Sequence, residues 1–266
     1  MPPRLASLVA LLLVVLLAFI PVPSVSGTEN HHAPVAVSTP RATTQAQQVI
    51  AVVGDSIFRG VSDGLTSGAL TADPAGTTWE IDAESGFGWG ASGPDWPLSV
   101  VRGSWALGHA SSLLARHPDV LVVELGANDA LRASFAIARR EPGFARRILG
   151  GVATNVGRVL ERIRGRTRCV VLVTPPTQPT TLFGAGALYS REATLVNSTL
   201  RRIAAGHKAV AVADWARLSA GHYHLDGSPG NWFAADGVHL VTEGQRALLT
   251  LVQRTATACH RDEQLR

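Results

Sequence analysis

The chain has 266 residues, 46% of them apolar, which is enough for one α/β domain, or two small ones, with a full core. Its formal charge of +4 is carried almost wholly by arginine, Lys208 being the only lysine. The basic residues are scattered, apart from short groups such as Arg139-Arg140 and Arg146-Arg147, with no aromatic-interleaved basic stripe, so nucleic acid is excluded as an expected partner.

At the N-terminus, Arg4 precedes an apolar run from Leu5 to Ile20, which Pro21 and Pro23 break. Val25-Ser26-Gly27 then offers small residues for cleavage before Thr28. Residues 1–27 read as a signal peptide, with an uncleaved N-terminal membrane anchor as the alternative. The run falls slightly short of the roughly 20 residues a span needs. Either way the remaining chain is expected to be secreted or in the cell envelope, touching a membrane only through that segment. Residues 28–47, rich in Thr, Ala, Pro and Gln without an apolar period, read as a flexible linker.

From residue 48 onward, short apolar runs alternate with segments of helical pattern. The spacing predicts strands over 49–53, 78–82, 120–125, 169–174 and 209–214, and helices over 57–65, 102–116, 145–164 and 191–205. A last helix starts at Thr242-Glu243-Gly244-Gln245, which fits a capping box. Val120-Leu121-Val122-Val123 and Val170-Val171-Leu172-Val173 are apolar throughout, as central strands of a parallel sheet must be when both faces are covered. Five such units make a three-layer α/β/α domain over 48–258, followed by a short C-terminal tail, 259–266.

In an open parallel sheet, ligands bind beyond the C-terminal ends of the strands. Gly54-Asp55-Ser56 follows the first strand, Ser85-Gly86 the second, Gly126-Ala127-Asn128-Asp129 the third, and Asp236-Gly237-Val238-His239 the fifth. A serine becomes a useful nucleophile when a histidine takes its proton and a carboxylate fixes that histidine's tautomer. Ser56, His239 and Asp236 supply those three groups on one sheet edge. Each piece has a plainer reading: Ser56 and Asp129 as helix caps, Asn128 and Asp236-Gly237 as turn residues. Their joint placement favours the chemistry.

Two other patterns carry less weight. His222, His224 and Asp226 lie close together but lack further ligands at metal spacing, so no metal and no cofactor is expected. Gly88-Trp89-Gly90-Ala91-Ser92-Gly93 formally matches a dinucleotide fingerprint, yet Pro94 and Pro97 forbid the helix that should follow.

The set of motifs resembles the SGNH (GDSL-type) serine hydrolases over Gln48 to Val252. The resemblance implies a flavodoxin-like five-stranded parallel sheet of order 2-1-3-4-5 and cofactor-free cleavage of an acyl ester. It implies Ser56 as nucleophile, Asp236 and His239 as its acid and base, and an oxyanion hole from the Ser56 N–H, the Gly86 N–H and the Asn128 amide. Gly88 is the rival to Gly86 for the second donor. The stretch from Ala213-Asp214-Trp215 to Leu240 is similar to extracytoplasmic domains of polysaccharide O-acyltransferases, which points toward envelope carbohydrate. O-acyl transfer, lipase activity and, in a different class, a catalytically silent carbohydrate-binding module are the alternatives.

Trp89 and Trp232 flank the oxyanion and base loops and are candidates for a substrate wall, with packing as the plainer role. Cys169 opens the fourth strand and Cys259 ends the last helix, so both are expected at the sheet edge opposite the site. In an oxidising compartment they are candidates for a disulfide.

Overall fold

The run Val49–Val53 lies inside β2 (Gln48–Gly54), the strand on which the molecule is organised. β2 pairs in parallel with β3 (Thr77–Ala83) on one side and with β4 (Val120–Glu124) on the other. Beyond β4 lie β5 (Cys169–Val173) and β6 (Val210–Ala213), also parallel. Counted in chain order, these five strands run 2-1-3-4-5, as expected. A sixth strand, β1 (Val35–Val37), pairs antiparallel with the outer edge of β3. The computed structural model describes residues 35–37, 48–72, 77–90, 105–224, 226 and 228–264, all within the compact unit Pro34–Arg266. The expected signal segment 1–27 lies outside them.

β1 corrects the reading of 28–47 as linker throughout. Val35-Ala36-Val37 is a short β-prone run, and pairing it with β3 satisfies backbone groups that an open edge would expose. β4 and β5 are buried along their whole length, because helices cover both faces. Each such aliphatic side chain stabilises the fold by about 1.5–3 kcal/mol.

The helices are α1 (Ser56–Ser67), α2 (Trp105–Leu114), α3 (Ala127–Ala138), α4 (Pro142–Ile163), α5 (Gly186–Ala205), the single turn α6 (Trp215–Leu218) and α7 (Thr242–Gln264). α1 and α7 pack together against one face of the sheet, while α4 packs between α2 and α5 in the other layer. Among the described residues, no helix is long and apolar enough to cross a membrane.

Three differences from the sequence reading have physical causes. α3 was not expected; three of its eight buried residues, Asp129, Arg132 and Ser134, are polar, so its buried face does not coincide with an apolar period. α7 continues through Gln264, so 259–264 is helix rather than tail, and Cys259 is buried. Gln245 does not close a capping box: its amide donates to Leu240 O and lies against Gly60 and Gly64 of α1.

Cys169 and Cys259 are joined in a disulfide, with Cα atoms 6.0 Å apart. Cys169 is level with Val120 at the start of β4, the edge remote from Ser56. The chain leaves β2 toward β3 and then crosses to β4 on the other side, which opens a crevice between the C-terminal ends of β2 and β4. Asp55-Ser56 follows one strand and Ala127-Asn128 the other.

Candidate active site

Ser56 is the first residue of α1, and Asp55 caps that helix by accepting the Ile57 N–H at 2.9 Å. The cap fixes where the serine leaves the strand. Ser56 Oγ lies 2.9 Å from His239 Nε2, and His239 Nδ1 lies 2.6 Å from Asp236 Oδ2. With the proton on Nδ1, donated to Asp236, Nε2 is left to accept from the serine hydroxyl. His239 is 42% exposed, so an entering ester can reach it.

The Asp236 turn is built to hold that geometry. Its Oδ1 accepts the Val238 and His239 N–H groups at 2.8 and 2.9 Å. Gly237 takes a left-handed φ of 75°, which a glycine adopts without strain. Thr180 Oγ1 and the Thr181 N–H donate to Asp236 O at 2.5 and 3.1 Å, and Phe233 and Leu240 bridge across the base of the loop. Burial pushes the Asp236 carboxyl up, but the bonds from the His239 ring and the two N–H groups outweigh it and hold it below the usual carboxylate range.

Asn128 lies in the first turn of α3, and its amide donates to Asp55 Oδ2 at 3.0 Å and to Phe87 O at 2.8 Å. Those bonds place it beside the Gly86–Gly90 loop. Gly86 has φ 83° in a half-buried turn, with space around its Cα. Gly88 is glycine for another reason: a Cβ there would run into the Asp129 carboxylate.

Several charged and polar groups of the site were not foreseen. Glu124, the last residue of β4, is buried, and its Oε2 accepts the Asp55 N–H at 3.3 Å. Burial pushes Asp55 up to about 7, and burial together with the neighbouring Asp55 charge pushes Glu124 well above its usual range. Two buried carboxyls in contact hold one proton between them. Tyr189 of α5 is buried near Asp55, Glu124 and Asp236, and burial together with those three acids raises its phenol and keeps it neutral. Asp129, expected only as a cap, accepts the Trp89 and Gly90 N–H groups at 2.7 and 2.8 Å, and Asn155 of α4 donates to Trp89 O at 2.7 Å. The visible signal for Glu124 was a lone carboxylate closing a wholly apolar strand.

Of the two tryptophans, Trp89 is corrected. Trp89 is buried in the core, its indole N–H bonded to Leu125 O at 3.1 Å, so it is no substrate wall. Trp232 is half-buried, stacked face to face with His222 at 3.5 Å and against buried Trp215 at 5.7 Å. Asp214, within the stretch compared with O-acyltransferases, caps α6 and pairs with Arg201 at 2.7 Å. That part of the stretch is packing.

The sequence profile of the GDSL-like lipase/acylhydrolase family matches residues 52–247, which holds all four motifs. The chain belongs to that family. No curated protein matches it. Among solved structures, this family member is similar to the C-terminal catalytic domain of peptidoglycan O-acetyltransferase A from Streptococcus pneumoniae, at TM-score 0.52 and 13% identity over 80% of this chain and 95% of that one. It is likewise similar to a putative acylhydrolase from Bacteroides fragilis, at TM-score 0.51 and 16% identity over 84% and 91%. A GDSL-like lipase from Bacteroides thetaiotaomicron gives TM-score 0.50 and 14% identity over 80% and 89%. At these identities the likeness is one of fold.

Proposed function

We propose that this acylhydrolase is an exported serine esterase that cleaves an O-acyl ester through an acyl-enzyme on Ser56, acting on envelope carbohydrate. The observation that carries the reading is the unbroken chain Ser56 Oγ to His239 Nε2 at 2.9 Å and His239 Nδ1 to Asp236 at 2.6 Å. Ser56 Oγ bonds to the acyl carbon as its proton passes to His239 Nε2, and the carbonyl oxygen takes the negative charge. His239 then gives that proton to the leaving alkoxide as the C–O bond breaks. Water repeats both steps and frees the acid.

The oxyanion cradle is assigned to the N–H groups of Ser56 and Gly86 and to the Asn128 amide, whose hydrogens rest on Asp55 and Phe87 O. A three-centred bond lets one hydrogen serve a second acceptor, so Asn128 can engage the oxyanion without leaving its place. Export is supported by the apolar N-terminal segment and by the Cys169–Cys259 bridge. Support for carbohydrate is the sequence resemblance to O-acyltransferase domains, and a peptidoglycan O-acetyltransferase domain shares the fold. If a sugar hydroxyl replaces water in the second half-reaction, the same acyl-enzyme performs transfer.

Purified protein should hydrolyse chromogenic acetyl, butyryl and octanoyl esters and release acetate from an acetylated glycan. A phosphonylating reagent should label Ser56 and abolish activity, and Ser56→Ala should leave a trace rate. Glycan binding without hydrolysis would instead establish a silent binding module, and labelling at another serine would overturn the assignment.

A further inference from the structure

The two proposed side donors of the oxyanion cradle come from distant segments, Gly86 after β3 and Asn128 in α3, so something must fix one against the other. We propose that Asp129 is the positioning residue that does so, locking the Gly86–Gly90 loop to the helix turn that carries Asn128. This rests on the esterase reading above.

Asp129 is fully buried, and both of its oxygens are used on the loop: Oδ2 on the Trp89 N–H at 2.7 Å and Oδ1 on the Gly90 N–H at 2.8 Å. Its neighbour Asn128 holds Phe87 O at 2.8 Å, so two consecutive helix residues grip one four-residue stretch of backbone. Trp89 is the anchor on the far side: Asn155 holds its carbonyl at 2.7 Å and its indole donates to Leu125 O at 3.1 Å. Gly88 packs so close to the Asp129 carboxylate that no side chain fits between them. A carboxylate suits this place because each of its two oxygens accepts one loop N–H, whereas an amide offers an acceptor at one of those positions and an N–H₂ donor at the other. The shift in loop position needed to spoil an oxyanion hole is small, since a misplacement of about 1 Å can lower a rate about 10²-fold.

Asp129→Asn keeps the shape but turns an N–H₂ toward one of the two loop N–H groups. Its kcat for a chromogenic acetyl ester should fall about 10²-fold with KM unchanged, because the loss is felt in the transition state. Phosphonylation of Ser56 should slow in parallel yet still reach full stoichiometry, showing a folded protein with its triad intact. Gly88→Ala, which pushes a methyl group into the carboxylate, should lower kcat in the same way. In an Asp129→Ala background, where that methyl group has room, it should add little further loss. Retained kcat in Asp129→Asn with a lowered melting temperature would overturn the proposal and leave Asp129 a stabiliser of the fold. A raised KM with kcat intact would also overturn it. If the wild type neither hydrolyses esters nor is labelled at Ser56, it is the esterase reading that fails.

Discussion

Glu124 Oε2 accepts the backbone N–H of Asp55 at 3.3 Å, which places two buried carboxyl groups beneath the nucleophile's helix turn. Burial raises both, Asp55 to about 7 and Glu124 well above its usual range, and the Asp55 charge raises Glu124 as well. A carboxyl raised in the folded state keeps a proton that the unfolded chain releases near pH 4, at about its free value. The folded protein is then the better proton binder, so stability falls as pH rises from about 4 through 7 and beyond.

Glu124→Gln mimics the protonated acid and removes the Glu124 share of that dependence. Its melting temperature should equal or trail the wild type at about pH 5 and exceed it at about pH 9. An offset of the same size and sign at both pH values would show that the pair shares no proton.

Asn128→Ala should lower kcat by about 10²–10³ with KM little changed, if its amide serves the oxyanion. It also strips donors from Asp55 and Phe87 O, so the folded state should lose stability by about 1–3 kcal/mol. Steady-state kinetics beside a denaturant titration separates the two effects. A change confined to stability would make Asn128 purely a strut.

Asp236→Asn should reduce kcat about 10⁴-fold by setting the wrong histidine tautomer. The amide would also lose its hold on the Val238 and His239 N–H groups only in part, since its carbonyl can still accept them as Oδ1 does now. The turn should therefore survive, and a circular dichroism spectrum like that of the wild type should accompany the loss. Near-normal turnover would mean that another group orients His239.

What the sequence made legible follows from which residues carry a local signal. Val120-Leu121-Val122-Val123 can only be a covered strand, and Gly54-Asp55-Ser56 and Asp236-Gly237-Val238-His239 keep their chemistry within short, ordered motifs. The contacts that needed three dimensions are those between segments. Asp129 looked like a helix cap because its partners, Trp89 and Gly90, are 40 and 39 residues away. Trp89 looked like a loop residue at an active site, yet its ring fills the core and its indole N–H finds a carbonyl there. α3 escaped notice because Asp129, Arg132 and Ser134 are polar yet buried, so its buried face carries no clean apolar period.

The disulfide yields the remaining prediction. Cys169 begins β5 and Cys259 sits near the end of α7, and the bridge closes a separation of 90 residues. Under the chain-entropy model, such a loop stabilises the fold by about 4–5 kcal/mol, chiefly by restricting the unfolded chain. For a domain of this size, reduction should lower the melting temperature on the order of 10 °C. Ester hydrolysis well below that temperature should persist, because the bridge lies at the strand edge opposite Ser56 and touches none of the triad. Thiol titration of the unfolded, unreduced protein recovered from its own compartment should find no free cysteine. Two titratable thiols there would remove the bridge and, with it, one of the two supports for export.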